Sequence, residues 1–397
     1  MNEHPILGQV VLGYCPMIDR QRAALATRLT VFASRPDAPA DVAALLLALQ
    51  QVWSADGNHQ LLLNLTSEPM LRAALVQPLP VQVWLEVPAF MAADAQHQPL
   101  LAALHARGST LFLQGRAGDL PPAVRACFRY AIVELDDERR SGAAPAPQGT
   151  PRTLAFVHSG VRCASQLEAS FQCGAAAALG WPIDEPMAAR AGKAVAPDLA
   201  VIVELINRVD REESIERLEA VLKNDPTLAF RLVRYINSAA FGLRVEIGSF
   251  RHAIMMLGYQ KLKRWLALLL ASASSDPAMK PVMYAAVRRG LFMEELVRGA
   301  GDEAMAGELF ICGVFSLLDC MIGQPFEQLL KSIPVAHDVY QALACGAGRY
   351  LPYLELARAV EQASLFDIRQ HAEPLMLSGF EVNRALLRAL LSARQLG

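Results

Sequence analysis

Ser214 to Ser272 reads SIERLEAVLKNDPTLAFRLVRYINSAAFGLRVEIGSFRHAIMMLGYQKLKRWLALLLAS. Asp225-Pro226 places an N-capping acid before a proline, which a first helical turn tolerates, and Gly242 can leave the helix in a left-handed conformation. A helix over about 226–241 follows. Leu228, Phe230, Leu232, Val233, Ile236, Ala239 and Ala240 cover more than one stripe of it, the pattern of a helix packed on several sides. Ser249 then opens a second helix that Gly258 closes. Tyr259 begins a third, whose Leu262, Trp265, Leu266, Leu269 and Leu270 recur at three-to-four spacing. Three punctuated helices in succession define an all-α module.

Outward from this segment the chain changes character. Before it, short β-branched or leucine-rich runs alternate with helical ones. Val10–Leu12, Leu61–Leu65, Val81–Val87, Thr110–Leu113, Ala131–Leu135 and Leu154–Val157 read as buried strands. Asp41–Trp53, Glu68–Leu75, Pro99–Arg107, Pro121–Phe128 and Ser165–Ala178 read as helices. Strand and helix in alternation predict a parallel sheet, either open or closed into a barrel. Two stretches rich in Pro, Gly and Ala read as connectors, Arg139–Thr153 within the first half and Asp184–Asp198 at its end. The expected division is therefore 1–183, a linker at 184–198, and a helical domain at 199–397.

With 397 residues, the chain exceeds what one hydrophobic core usually serves, and 53% apolar against 19% charged residues describe a well-buried globular protein. A formal charge of -2 gives no global attraction to nucleic acid or to an anionic membrane. Eight basic residues between Lys223 and Arg264 (Lys223, Arg231, Arg234, Arg244, Arg251, Lys261, Lys263 and Arg264) nevertheless leave room for a local basic face. The 7 cysteines form no CxxC pair and read as free thiols of a reducing compartment. MNEHPILG has no basic region leading into an apolar run, so neither signal peptide nor anchor is expected, and the cytoplasm is the default.

Asp225-Pro226, the pair Asn237-Ser238 and the segment from Ala253-Ile254 to Leu257-Gly258 resemble the HDOD domain, a helical module related to HD phosphohydrolases but without their metal ligands. The opening VVLGYCPMIDRQ, then NLTSE and LEVP, is similar to the first strands of the EAL domain in EAL–HDOD proteins of the YuxH type. That resemblance implies a TIM-barrel-related N-terminal domain, which in active members hydrolyses cyclic di-GMP with divalent metals.

Such hydrolysis needs several hard oxygen ligands converging on one or two cations. The resemblance puts Arg28 where the signature glutamate is expected, Gln114 and Gly115 at the paired aspartates, Glu134 at the usual lysine, Ser159 at a late glutamate and Leu179 at a late glutamine. Asn64, Glu86 and Asp136 keep the expected type. This makes the EAL-like site degenerate: no catalytic residue, metal or cofactor is expected. Arg28, Asn64, Glu86 and Asp136 remain as nucleotide-binding candidates, because a guanidinium can still meet a phosphate.

In the second half the His and Asp implied by the resemblance fall at Ser316 and Leu317 in FICGVFSLLDCMIG, so Asp225, Pro226, Asn237, Ser238 and Gly258 are read as structural. His337-Asp338 spells an HD dipeptide far from other histidines. Asp319 is expected to cap or bond locally. A helix-turn-helix reading of 249–270 fails on the apolar third helix, which makes nucleic acid an improbable partner.

The resulting expectation is a non-catalytic regulator or scaffold linked to cyclic di-GMP signalling. It would act through unknown protein partners, a second copy of the chain among the candidates, and no membrane. The alternative is a cyclic di-GMP-binding effector without hydrolysis, and after it a residual phosphodiesterase.

Overall fold

Eight strands close into a barrel in sequence order: β1 Val10–Ile18, β2 Ala24–Ala33, β3 Gln60–Leu65, β4 Val83–Pro88, β5 Leu111–Gln114, β6 Phe128–Glu134, β7 Phe156–Val161 and β8 Ala177–Gly180. β1 runs antiparallel to both β2 and β8, and every other neighbouring pair is parallel. The computed structural model describes residues 4–35, 40–53, 59–118, 120–136, 154–184, 197–223, 250–272 and 277–395.

Sequence order leaves open whether the sheet closes, and the pairing of β8 with β1 closes it. Two strands depart from expectation. β2 was not expected as a strand; it pairs with β1 through a tight turn in which the Asp19 carboxylate accepts from the Ala23 N–H and Arg22 takes φ 62. Charged residues in that turn, in place of the usual Gly or Asn, hid the hairpin. Ala177 and Ala178 were expected at the end of a helix over Ser165–Ala178. The helix stops at Gln172, Gly174 adopts φ +91, and the two alanines pair in β8 with His158 and Val157 of β7 and with Ile18 of β1. Alanine has no strand preference of its own, so this pairing is set by tertiary context.

The helices outside the barrel are α1 Val42–Gln50, α2 Glu68–Leu75, α3 Ala89–Ala93, α4 Gln98–Ala106, α5 Pro122–Arg125 and α6 Ala164–Gln172. Asp41 caps α1 by accepting from the N–H groups of Ala43 and Ala44. Inside the barrel, side chains alternate along each strand. Met17, Ala26, Leu62, Trp84, Phe112, Ile132, Val157, Ala177 and Leu179 form one apolar layer, with Trp84 stacked on Phe112 at 5.3 Å. Such a packed layer makes the barrel a core rather than a pore.

The helical half comprises α7 Pro197–Asp210, α8 Ile215–Lys223, α9 Phe250–Ser272, α10 Lys280–Val297, α11 Glu303–Phe315, α12 Leu318–Ile322, α13 Phe326–Ser332, α14 His337–Ala344, α15 Leu351–Glu361, α16 Leu365–Ala372 and α17 Gly379–Gln395. Gly258, at φ 72 and ψ 170, breaks α9 where the sequence separates its second and third helices, and Leu262, Leu266, Leu269 and Leu270 are buried as their spacing requires. Asp225, Pro226, Asn237 and Ser238 lie outside the described residues. α10 and α11 cross at a pair of glycines, since a Cβ on Gly313 would fall 2.6 Å from Gly290 Cα. Glu303–Ile322 is long and apolar enough to span a membrane by composition, with mean hydropathy 1.8, and half of it is buried in the protein, as in a core helix.

By compactness the chain forms two units, and the first combines Met1–Glu185 with Arg358–Arg384. The barrel therefore has a C-terminal strap drawn from the far end of the sequence. The second unit comprises Pro186–Ala357 and Ala385–Gly397.

Candidate functional site

Above the apolar layer, the next inward positions of the parallel strands reach the C-terminal mouth of the barrel, where this architecture places its sites. Two residues beyond Leu62, Trp84 and Val157, strand alternation brings Asn64, Glu86 and Ser159 to that level, and Arg28 stands two beyond Ala26 on β2. Of the four candidates read from sequence, the structure joins two. Arg28 Nε donates to Glu86 Oε1 at 2.6 Å and its Nη2 to Oε2 at 2.6 Å. Asn64 is half-buried on β3, between these two strands and opposite Thr30. Asp136 is exposed just past the end of β6.

The Arg28–Glu86 pair is a bidentate fork in which both carboxylate oxygens are occupied. The Glu86 side chain is 0% exposed and that of Arg28 17%. Burial alone would lower the Arg28 pKa, but the charge and hydrogen bonds of Glu86 outweigh it and hold the guanidinium above the ordinary arginine range. A permanent cation thus sits against the buried Glu86 at the mouth, and a divalent ion would have to displace it against charge repulsion.

Cys15 of β1, opposite Arg28 in the ladder, packs on the apolar layer, and burial pushes its thiol up to about 11 although Arg28 opposes the shift. Across the mouth, Ser159 Oγ donates to Glu134 Oε2 at 2.6 Å. Gly160 takes φ +78, and a Cβ there would come within 2.3 Å of Glu134 Oε1, so the carboxylate lies over a backbone that only glycine leaves open. Cys15 and the Glu134–Ser159 bond were not picked out as site features. Their only sequence signal is register, which requires β2 and β8 to be placed first.

An arginine also meets the second position of interest, where the HDOD resemblance implies His and Asp at Ser316 and Leu317. Arg289 of α10, 2% exposed, donates from Nη1 to Ser316 Oγ at 2.7 Å, and Ser316 Oγ in turn donates to Gly313 O at 2.7 Å. Leu317 is buried. Asp338 of the HD dipeptide pairs with Arg349 at 3.2 Å, and His337 is exposed. The Asp319 carboxylate accepts from the Cys320 N–H at 2.7 Å. Among the described residues no group of three or more His, Cys, Asp or Glu side chains is gathered for a metal ion.

Residues 196–325 match the HDOD domain family. The chain is 28% identical over 162 residues to YuxH of Bacillus subtilis, covering 40% of this chain and 39% of that one. The chain thus carries an HDOD domain and is similar to EAL–HDOD proteins. Its relatives also include a protein of Vibrio cholerae named cyclic di-GMP phosphodiesterase CdgJ, 29% identical over 196 residues, or 49% of this chain and 45% of that one. The chain thus spans less than half the length of either of these two relatives. Among solved structures, it is similar to the PaMucR phosphodiesterase in complex with c-di-GMP (17% identity, TM-score 0.31, 45% of this chain and 92% of that one). It is also similar to a putative phosphohydrolase from Shewanella amazonensis (16% identity, TM-score 0.36, 50% and 93%).

Proposed function

We infer that this protein is a non-catalytic regulator of cytoplasmic cyclic di-GMP signalling that acts by associating with protein partners. The observation that carries this reading is the bidentate contact of Arg28 with Glu86 at 2.6 Å. Phosphodiester hydrolysis by metal ions requires clustered anionic oxygen to hold the cation and lower the pKa of its water. Here the buried acid of the mouth is neutralised by a fixed cation, and Asp136 is exposed. The buried Arg289 on Ser316 gives the helical unit a parallel arrangement at its own metal position. The same fork weighs against the nucleotide-binding alternative, because a phosphate would have to draw Arg28 away from a carboxylate it already holds with two hydrogen bonds.

The test is direct. The purified 397-residue chain, incubated with cyclic di-GMP and magnesium or manganese, is expected to form no linear dinucleotide and to retain no stoichiometric metal. Product formation that is lost in Glu86→Ala would overturn the reading. Calorimetric binding of cyclic di-GMP without product, abolished by Arg28→Ala, would replace it with the effector alternative.

A further inference from the structure

β8 is four residues long and meets β1 only at Met17–Leu179 and Ile18–Ala178, whereas β1 extends back to Val10. Among the described residues, the backbone of Val10–Tyr14 therefore has no neighbouring strand on that side. Buried edge groups of this kind need partners. They receive them from the strap. Asn383 of α17, fully buried, accepts the Leu12 N–H on Oδ1 at 3.0 Å and donates from Nδ2 to Leu7 O and Val10 O, both at 2.8 Å. A primary amide has the donor and acceptor of a peptide group, so one side chain stands in for the missing strand. Trp181 Nε1 adds a bridge, reaching Tyr14 O at 3.2 Å and Glu361 O at 2.9 Å.

The side of β1 on which the strap lies follows from alternation. Cys15 faces the interior, so Gly13 and Val11 continue the same face of the strand toward the mouth. At Gly13 a Cβ would come within 2.5 Å of Ala363 Cα and 3.1 Å of Val360 O. Val11 lines an open groove of about 530 Å³ with residues of α16 and α17, including Ile368, Arg369 and Val382. Arg369 Nη2 donates to Ser34 O, just past the end of β2, at 2.8 Å.

Both turns of the strap hold a non-glycine residue in the left-handed region, Ala363 at φ 51 and Met376 at φ 55, and Met376 is 91% exposed. Such conformations persist where surrounding contacts impose them.

We propose that residues 358–384 are a latch over the β1–β2 side of the barrel mouth, fastened by Asn383, whose release opens the mouth. This goes beyond the function above, because it concerns access to the mouth whatever the mouth binds. The latch is built from hydrogen bonds to one strand edge and one backbone contact, which a local opening can break without unfolding the barrel.

Hydrogen exchange of the full chain tests it. Asn383→Ala is expected to speed exchange roughly tenfold in residues 10–14 and 360–383 together, leaving β3 to β5 unchanged. Gly13→Ala, which pushes on Ala363 from the other end, is expected to give the same paired pattern. An increase confined to the Leu12 amide would reduce Asn383 to a local cap and overturn the proposal. An increase spread over all eight strands, or failure of both variants to fold, would make the strap part of one cooperative core and overturn it as well.

Discussion

Arg28 and Arg289 are both drawn from the middle of a secondary-structure element into a protein interior, and the contacts described for them differ in chemistry. In the barrel the guanidinium meets a carboxylate as a fork; in the helical unit the described contact is with a hydroxyl that passes a hydrogen bond on to a carbonyl. An ion pair of the first kind makes each partner dependent on the other, since removing one leaves a charge stranded in low dielectric. A hydroxyl asks less of its donor, because it stays satisfied through its own bond to Gly313. The same residue type thus forms a charge-paired fork in one site and a hydrogen bond to a hydroxyl in the other.

The sharpest break would come from unpairing the fork. Arg28→Ala leaves the Glu86 side chain, 0% exposed, as an isolated anion and should cost about 3–5 kcal/mol in urea unfolding. Glu86→Ala leaves Arg28, which is 17% exposed and can draw some water, so a smaller loss of about 2–3 kcal/mol is expected. Arg28→Met with Glu86→Leu should recover most of either loss. Equal costs for the two single variants would show that the buried carboxylate is not the critical partner.

Cys15 reports on the same charge. With its thiol pushed up to about 11, it should be alkylated by iodoacetamide at pH 8 roughly 100-fold more slowly than the exposed Cys173, as peptide mass spectrometry can measure. Rapid labelling would mean that the guanidinium is free to stabilise a thiolate, and the contrast between the two arginines would lose its barrel half.

On the other side of the comparison, Ser316→Ala removes one acceptor from buried Arg289 and should cost about 1.5–2 kcal/mol. A loss as large as that of Arg28→Ala would erase the distinction. The smallest effect concerns an acid held chiefly by hydrogen bonds. Glu381 accepts from the N–H and hydroxyl of Ser378, which cap α17, and these bonds hold its carboxyl below the usual range. Because the folded value is depressed, its contribution is present above the ordinary glutamate pKa and disappears as pH falls through the lowered one. Glu381→Gln should cost about 0.5 kcal/mol at pH 7 and progressively less on acidification, followed by thermal unfolding.

Much of this was legible in the sequence. Asp41, Glu68-Pro69 and Gly258 punctuate their helices as written, and six strands announce themselves by apolar runs. β2 and β8 do not, because a charged turn and an alanine pair carry no strand signal of their own. The resemblance to the EAL domain set Arg28 apart from the family pattern. It could not tell that Arg28 would turn to Glu86, since the two are 58 positions apart and meet only once β2, β3 and β4 lie side by side. Asn383 was invisible for the same reason, 371 positions from the backbone it serves.

The brevity of β8 bears on how this protein can be taken apart. Cutting the gene after Glu185 would yield a fragment with all eight strands and an uncovered β1 edge, prone to recruit a foreign strand or another copy of itself. Exchanging barrels among homologous chains at that junction would separate Asn383 from the backbone it completes, so the transferable piece includes a stretch encoded almost at the opposite terminus.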